Sequence, residues 1–433
     1  MAHAETLIED TLIKQLTTGE SQWTYRPDIH TEEDLWNNII EKLVNSNKGK
    51  IQPEKHPLTK DEILQIKEFI KTQAETPFKA AQWLSGENGL AQIPLKREDA
   101  RLGDLTLDAI DNKDVKAGNS SYEIINQYIS FKEDESDRTT RFDVTLLING
   151  FPLIHIELKN EDHPYMDAFR QIRRYMENGK FTGVFGLVQM FVISNGVDTK
   201  YFAATTCDKL NEKFLASWVD ANNKPIKDYL SFAKAALNIP QAHYMVSRYR
   251  ILDDNSKSII LLRPYQIHAI EAVKEASIRK ESGFVWHTTG SGKTITSFNV
   301  TRNLLENNLN LDKAIFLIDR KDLDQQTTIS FQSYAKTTGD AIEQTDNTKA
   351  LENCLKSKDR IVIVATRQKL DCLLDKCENA INKGDKNAYY YKVAQKLKDK
   401  HVAFVVDECH RAISSQAKIR IEKFFDNSIK KSL

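Results

Sequence analysis

The stretch GFVWHTTGSGKTITS, residues 283–297, decides how the second half of the chain folds. A short apolar run, Phe284 to Trp286, leads into a Gly-rich turn, and the residues after this turn have the composition of a helix. The order of strand, Gly-rich loop and helix is what a phosphate-binding loop requires, because inward-turned backbone amides and a helix N-terminus both attract phosphate oxygens. The sequence therefore predicts a nucleotide site at this turn.

Two side chains of the turn have specific expected roles. Lys293 is placed to reach the β- and γ-phosphates, and the Thr294 hydroxyl is placed to ligate Mg²⁺. The strict pattern has a Gly five residues before Gly292, where this chain has His287, so a Gly/Ser/Thr turn with a chance lysine is the alternative interpretation. The other predicted phosphate-binding residues are Thr289, Gly290, Ser291 and Gly292.

A second motif lies further along the chain and supports the first. Asp407 and Glu408 follow an unbroken apolar run, residues 401–406, of the kind that a fully buried parallel strand shows. Asp407 is expected to hold the Mg²⁺ of the nucleotide, and Glu408 to polarise the attacking water. Other apolar runs, at 314–318 and 361–366, alternate with helical patterns, which predicts a parallel α/β core that binds and hydrolyses a nucleoside triphosphate.

The totals indicate a chain of several domains. Its 433 residues are too many for one compact core, and 61 basic residues balance 61 acidic ones, so charge neither requires nor excludes nucleic acid. No apolar run approaches membrane-spanning length, and the five cysteines are scattered, which favours a reducing cytoplasm. The predicted organisation is an irregular segment over 1–30, a first domain over 31–245, a linker over 246–262 and a second domain over 263–433.

The first domain is expected to contain a β-hairpin. Two β-rich runs, 141–148 and 152–159, flank Asn149-Gly150. The apolar side chains of both runs share one face only if paired residue numbers sum to an even value, such as 143 with 157. A two-residue turn would pair 148 with 151, an odd sum. The pattern therefore predicts a three-residue connection or a bulge, with Gly150 in the left-handed conformation.

In that register Asp143, Glu157 and Lys159 converge on one face. Two neighbouring carboxylates can hold Mg²⁺, and a lysine beside them can orient or activate the water that attacks a phosphodiester. The alternative is a solvated sheet face with an incidental Glu/Lys pair. A helix that begins near Pro164 then places Gln171 and Tyr175 four residues apart on one side.

These motifs together resemble the restriction (motor) subunit of type I restriction–modification enzymes, HsdR, from about residue 30 to residue 433. In that family a D…E-x-K set, here Asp143, Glu157 and Lys159, forms a PD-(D/E)xK nuclease site in a mixed-sheet α/β domain, although the usual Pro-Asp is Phe142-Asp143 here. A Q-x-x-x-Y motif, here Gln171 and Tyr175, follows the nuclease strands.

The second half resembles the first RecA-like domain of a superfamily 2 helicase. In such domains a glutamine ahead of the loop, here Gln266, reads adenine, and residues 407–410 form a DExH box. An acid on the first helix sometimes completes such nuclease sites; Glu33 and Asp34 are candidates, and a capping role is favoured for Asp34. A motor also needs a second RecA-like domain, for which the sequence after the DExH box is too short, so the resemblance implies a fragment of a longer subunit.

The resemblance implies ATP-dependent DNA translocation coupled to Mg²⁺-dependent, nonspecific cleavage of double-stranded DNA. It further implies methyltransferase (M) and specificity (S) subunits as partners and a cytoplasmic location. Two other interpretations stay open. One is a superfamily 2 helicase or repair ATPase with an inactive nuclease-like domain, and the other is a non-catalytic DNA-binding or docking module.

Overall fold

The structure, a computed structural model, forms two compact units, Met1–Pro264 and Tyr265–Leu433. No helix in the described part of the chain combines the length and the apolar character that a membrane span requires. The described residues are 2–19, 22–87, 89–112, 115, 118–130, 140–288, 290–308, 310–318, 329–335, 342–345, 347–407, 415–425 and 429–432.

The first unit is built around a mixed sheet. Its strands are β1 (Thr24–Tyr25), β2 (Leu90–Leu95), β3 (Leu105–Asp111), β4 (Tyr122–Ile129), β5 (Arg141–Ile148), β6 (Phe151–Leu158), β7 (Met190–Ser194), β8 (Thr199–Ala203), β9 (Trp218–Val219), β10 (Pro225–Ile226), β11 (Arg250–Asp253) and β12 (Ser258–Leu261). Six of them form the sheet, in the order β1-β4-β5-β6-β7-β8. The pairs β4–β5, β5–β6 and β7–β8 are antiparallel, whereas β6 and β7 run parallel.

Several helices of this unit begin at a residue whose side chain caps the first turn. The helices are α1 (Ala2–Thr17), α2 (Glu32–Ser46), α3 (Lys48–Ile51), α4 (Lys60–Gln73), α5 (Pro77–Ser85), α6 (Tyr165–Glu177), α7 (Tyr229–Ala236) and α8 (Gln241–Val246). The capping role predicted for Asp34 is confirmed, because Thr31 and Asp34 form a reciprocal capping box at the start of α2. Asp34 is thus used as a cap, and Glu33 is exposed.

The β5–β6 register agrees with the prediction near Asp143, but the turn differs. Pairs such as Val144 with Ile156 have an even sum, whereas Ile148 pairs with Phe151 across a two-residue turn. The pairing changes from even to odd sums at an irregularity between Leu146 and Leu147. It does not change at a bulge in the turn. Asn149 (φ 52°) and Gly150 (φ 83°) are both left-handed, as the tight hairpin turn requires.

Substitution of Gly150 with alanine is expected to destabilise the first unit. The left-handed conformation costs an L-residue about 1–2 kcal/mol, and a Cβ here would lie 3.0 Å from the Ile39 Cα in α2. Gly103→Ala is the matched control, since Gly103 has φ +69° but no atom within 4 Å of its added Cβ. Urea unfolding should show the larger loss for Gly150→Ala; equal losses would mean that the contact with α2 costs nothing.

Two boundary predictions for this unit are wrong. Residues 1–30 are not irregular, because α1 packs Leu12, Ile13 and Leu16 into the core. The helical period is hard to recognise because Glu9, also buried, interrupts the apolar stripe. Residues 246–262 are not a linker, because β11 and β12 pair as a hairpin, and the buried Arg250 donates to Gln189 Oε1 at 2.6 Å.

The second unit has a parallel sheet, as predicted. Its strands are β13 (Gly283–Phe284), β14 (Lys313–Ile318), β15 (Ile342–Gln344), β16 (Ile361–Thr366), β17 (Val402–Val406) and β18 (Ile429–Ser432), in the order β13-β18-β17-β14-β16-β15 with every pair parallel. The helices are α9 (Pro264–Ile278), α10 (Lys293–Asn307), α11 (Thr348–Lys356), α12 (Arg367–Asn382), α13 (Tyr389–Lys398) and α14 (Ser415–Phe424).

The strand before the Gly-rich loop is shorter and more exposed than predicted. Only Gly283 and Phe284 are in β13, and this strand is at the edge of the described sheet, where it pairs with β18 alone. Trp286 is therefore outside the strand, with 93% of its surface exposed.

Candidate active site

The carboxylates of Asp143 and Glu157 meet inside the first unit. Asp143 is the third residue of β5 and lies opposite Glu157 of β6 when the Val144–Ile156 pairing is continued. Its Oδ2 accepts a hydrogen bond from the Leu158 amide at 2.8 Å. The Glu157 side chain is 0% exposed. The face that carries both carboxylates is therefore buried, not solvated.

Burial sets the protonation of this pair. It raises the pKa of Glu157, which Lys159 partly offsets, and it raises the pKa of Asp143, to which the neighbouring Glu157 charge adds. Two carboxyl groups so close together hold a proton near neutral pH unless a cation neutralises them.

Lys159 follows β6 directly and completes the predicted set. Its Nζ lies 3.9 Å from Glu157 Oε1 and 3.8 Å from Glu5 Oε1 of α1, and it donates to the Leu158 carbonyl at 2.9 Å. The lysine side chain is only 14% exposed. The structure therefore brings Asp143, Glu157 and Lys159 together.

The Gln171–Tyr175 pair of α6 lies beside this site. Gln171 Nε2 donates to the Tyr175 hydroxyl, which itself lies 3.5 Å from the Arg141 carbonyl at the start of β5. Burial raises the pKa of Tyr175, and the charges of Glu157 and Asp143 add to this effect. The pair therefore connects α6 to the strand that carries Asp143.

A third acid, Glu9 of α1, lies near enough to Asp143 for their charges to interact, in the segment that the sequence had marked as irregular. It is 4% exposed, and its two oxygens accept hydrogen bonds from Asn126 Nδ2 at 2.6 Å and Gln127 Nε2 at 2.8 Å. Burial raises the pKa of Glu9 to about 7, and the Asp143 charge contributes. If Glu9 is counted as a buried residue together with Leu12, Ile13 and Leu16, the four residues have helical spacing. This signal could have revealed the buried face of α1.

The donor atoms of the site suit a hard divalent cation. Glu157 Oε1 is buried without a hydrogen-bond partner, which costs free energy unless another group compensates it. Mg²⁺ is commonly bound through one or two carboxylates while it keeps several waters. Among the described residues no group of three or more His, Cys, Asp or Glu side chains is already arranged as a metal site. Asp143 and Glu157 thus fit a cation that keeps part of its water shell.

The Gly-rich loop of the second unit has the geometry of an anion site. Gly290 and Gly292 are both left-handed, with φ of 79°, and α10 begins at Lys293 immediately afterwards. The Ser291 carbonyl accepts hydrogen bonds from the Tyr265 hydroxyl at 2.8 Å and from Gln266 Nε2 at 3.2 Å. The start of α9 therefore holds the loop against the N-terminus of α10.

His287, the departure from the strict loop pattern, has a structural role. Its Nδ1 lies 3.0 Å from Ser291 Oγ, which in turn donates to the Thr288 carbonyl at 2.7 Å. Burial, and then the nearby Lys293 charge, lower the pKa of His287, so the ring is neutral at physiological pH. The His287 side chain thus connects the residue before the Gly-rich turn to Ser291 within it.

The remaining predicted nucleotide residues are only partly within the described chain. Thr294 is in the first turn of α10, and Asp407 follows β17, where its amide donates to the Leu317 carbonyl of β14 at 3.0 Å. Thr289 and Glu408 lie outside the described residues, so their roles stay predictions.

Comparison with known proteins gives a family match in each half of the chain. The family described as Type I restriction enzyme R protein N terminus (HSDR_N) matches residues 4–209, and the family described as SWI2/SNF2 ATPase matches residues 265–431. The T4 bacteriophage UvsW helicase structure covers 42% of this chain, and this chain covers 55% of it, at 18% identity and a TM-score of 0.29, which is a weak likeness.

Relatives at higher identity share one description. The type I restriction enzyme SauMRSORF196P endonuclease subunit of Staphylococcus aureus (strain MRSA252) is 33% identical over 98% of this chain and 42% of its own length. The type I restriction enzyme EcoprrI endonuclease subunit of Escherichia coli is 28% identical over 58% of this chain and 83% of its own length. The chain spans less than half of the first relative, and it belongs to the family of type I restriction enzyme endonuclease (R) subunits.

Proposed function

We propose that the first unit is a PD-(D/E)xK-type endonuclease domain that cuts double-stranded DNA in the presence of Mg²⁺. The observation that carries this proposal is the convergence of Asp143, Glu157 and Lys159, with Glu157 Oε1 buried and without a hydrogen-bond partner. An unpartnered buried acceptor is costly, and a cation bound at Glu157 Oε1 would compensate it.

Each residue of the site has a part in the proposed reaction. Asp143 and Glu157 would hold the Mg²⁺, while Glu9, whose two oxygens are held by Asn126 and Gln127, would add negative charge near Asp143. The cation would supply Lewis acidity at the phosphodiester. Lys159 would orient the attacking water and stabilise negative charge beside Glu157. Since the carboxyl pair holds a proton when empty, cation binding is coupled to proton release.

We further propose that the second unit is the first half of an ATP-driven motor that moves DNA past the nuclease. The loop amides, Lys293 and Thr294 would bind the phosphates and their Mg²⁺, with Asp407 on the same ion. Gln266 would contact the adenine, as in superfamily 2 helicases. The whole protein would act with partner subunits, because its relatives are described as endonuclease subunits of type I enzymes. The resemblance to the HsdR family implies that these partners are methyltransferase and specificity subunits and that the complex acts in the cytoplasm.

The nuclease proposal is tested by nicking of supercoiled plasmid in Mg²⁺. Lys159→Ala is expected to lower the rate by about 100-fold or more, since it removes the only lysine at the carboxylate pair within the described residues. Lys200→Ala is the matched control, because Lys200 is also a half-buried lysine on this sheet, but it donates to Ser217. Equal rates for wild type and Lys159→Ala would contradict the assignment.

The nucleotide site is tested separately. Lys293→Ala is expected to weaken binding of a fluorescent ATP analogue by at least about tenfold, because a charge-assisted contact with phosphate is lost. Lys274→Ala, on α9 and paired with Glu271, should bind the analogue like wild type. Unchanged affinity of Lys293→Ala would remove the support for ATP binding at this loop.

A further inference from the structure

His155 has an unusual position next to the carboxylate pair. Its side chain is 0% exposed and lies between the Thr145 hydroxyl and Glu157. Thr145 Oγ1 is 3.1 Å from His155 Nδ1, and His155 Nε2 is 3.2 Å from Glu157 Oε2. Three aromatic rings surround the imidazole with centroids at 4.9, 5.3 and 6.0 Å, those of Phe142, Phe181 and Phe191.

The hydrogen-bond chemistry selects one tautomer of His155 when Glu157 is ionised. A carboxylate can only accept, so His155 Nε2 must carry the proton that it shares with Glu157. A neutral imidazole with its proton on Nε2 presents Nδ1 as an acceptor. Thr145 Oγ1 must then donate to Nδ1. The three side chains form a directed chain from Thr145 through His155 to Glu157.

The hydrogen-bonded series from Thr145 through His155 determines which oxygen of Glu157 is available to a ligand. Oε2 is held by His155, whereas Oε1 is buried without a hydrogen-bond partner and faces Lys159 at 3.9 Å. The imidazole cannot swing away, because the three phenylalanine rings enclose it. The carboxylate is thus fixed before any ligand arrives.

We propose that Thr145 and His155 are positioning residues, which orient Glu157 so that its Oε1 is available to a divalent cation. This inference rests on the proposed nuclease function. Groups that hydrogen-bond to metal ligands fix the orientation of those ligands, and their loss typically costs about 10–100-fold in metal affinity. Neither residue touches the substrate or the reacting atoms in this assignment.

The decisive experiment is a calorimetric Mn²⁺ titration of the full chain, with wild type beside Thr145→Val. Valine keeps the shape of threonine but cannot donate to Nδ1, so we expect about tenfold weaker Mn²⁺ binding. Thr199→Val is the matched control, because Thr199 is an equally buried strand residue whose hydroxyl bonds Ser194 at 2.8 Å. It should bind Mn²⁺ like wild type.

Substitutions of His155 separate positioning from packing. His155→Gln retains an amide donor that can reach Glu157 and should recover part of the affinity that His155→Leu loses. A merely structural role would lower the melting temperature of both variants without this difference in Mn²⁺ affinity. Equal Mn²⁺ affinities for His155→Gln and His155→Leu would therefore overturn the positioning role.

A measurement on the unmodified protein gives an independent test. Nitrogen-15 NMR of histidine-labelled wild type, recorded with Mg²⁺ bound so that Glu157 is ionised and with the His155 signal identified from His155→Gln, should show the Nε2–H tautomer. A charged ring or the Nδ1–H tautomer would overturn the inference.

The Mn²⁺ titration also distinguishes a failure of the positioning role from a failure of the proposed nuclease function. Glu157→Ala should abolish Mn²⁺ binding at this site. If it does so while Thr145→Val binds like wild type, the proposed function stands and the positioning role is wrong. If wild type itself binds no Mn²⁺, or if Glu157→Ala binds it equally well, the proposed function fails and this inference fails with it.

Discussion

Replacing Glu157 with alanine is expected to lower Mg²⁺-dependent nicking of plasmid DNA by at least about 100-fold. Glu157 supplies the one carboxylate oxygen of the pair that is buried without a hydrogen-bond partner, so its removal takes away both a cation ligand and the partner of Lys159. The loss is expected at every Mg²⁺ concentration that leaves wild type saturated. Initial rates of conversion from supercoiled to open-circular plasmid give the comparison.

Glu161→Ala is the control for this result, because Glu161 is an exposed glutamate only four residues away. It should cut DNA like wild type. Binding of an ATP analogue should be unchanged in Glu157→Ala, since Glu157 and the Gly-rich loop belong to different compact units. Wild-type nicking by Glu157→Ala would exclude Glu157 from the nuclease site.

The second large effect is on stability. Glu157→Gln should stabilise the metal-free protein increasingly as the pH rises. Burial raises the pKa of Glu157 to about 8, so the folded state holds a proton that the unfolded chain releases near pH 4.5. Between these values the folded state binds more protons, and the free energy of unfolding of wild type falls relative to the glutamine variant by up to about 1.4 kcal/mol per pH unit.

The measurement is urea unfolding from pH 5 to pH 9 in the presence of a chelator. Glu68→Gln, an exposed substitution on α4, should differ from wild type by an amount that does not change with pH. Addition of Mg²⁺ should stabilise wild type and leave Glu157→Gln unchanged, because only the ionised carboxylate binds the cation. If Glu157→Gln were less stable than wild type at every pH from 5 to 9, the buried Glu157 carboxylate would not destabilise the metal-free protein. That result would contradict this prediction.

The parts of the fold that follow from local pattern were predictable from the sequence. The parallel strands β14, β16 and β17 are continuous apolar runs, and the capping box of Thr31 and Asp34 is a local signal. The strand pairing around Asp143, in which paired residue numbers have an even sum, follows from the alternation of side chains between the two faces of a strand. The position of the register shift, at Leu146 and Leu147, does not, because every residue there is apolar and buried.

The missed features depend on tertiary contacts. Glu9 is polar and buried, so it disguises the period of α1, and only its hydrogen bonds to Asn126 and Gln127 explain its position. Strand alternation places His155 on the same face as Asp143 and Glu157, but its contact with Thr145 depends on rotamers that a pattern does not contain. Trp286 is exposed because β13 ends at Phe284, and among the described residues this strand pairs only with β18.

The central claim is that Asp143 and Glu157 form a divalent-cation site beside Lys159. A crystal of the protein grown with Mn²⁺, with an anomalous difference map recorded above the manganese edge, tests it most directly. The account predicts one peak in coordination range of an Asp143 carboxylate oxygen and Glu157 Oε1, with Glu157 Oε2 still bonded to His155. A map in which Mn²⁺ binds elsewhere and no peak lies within coordination range of Asp143 and Glu157 would contradict it.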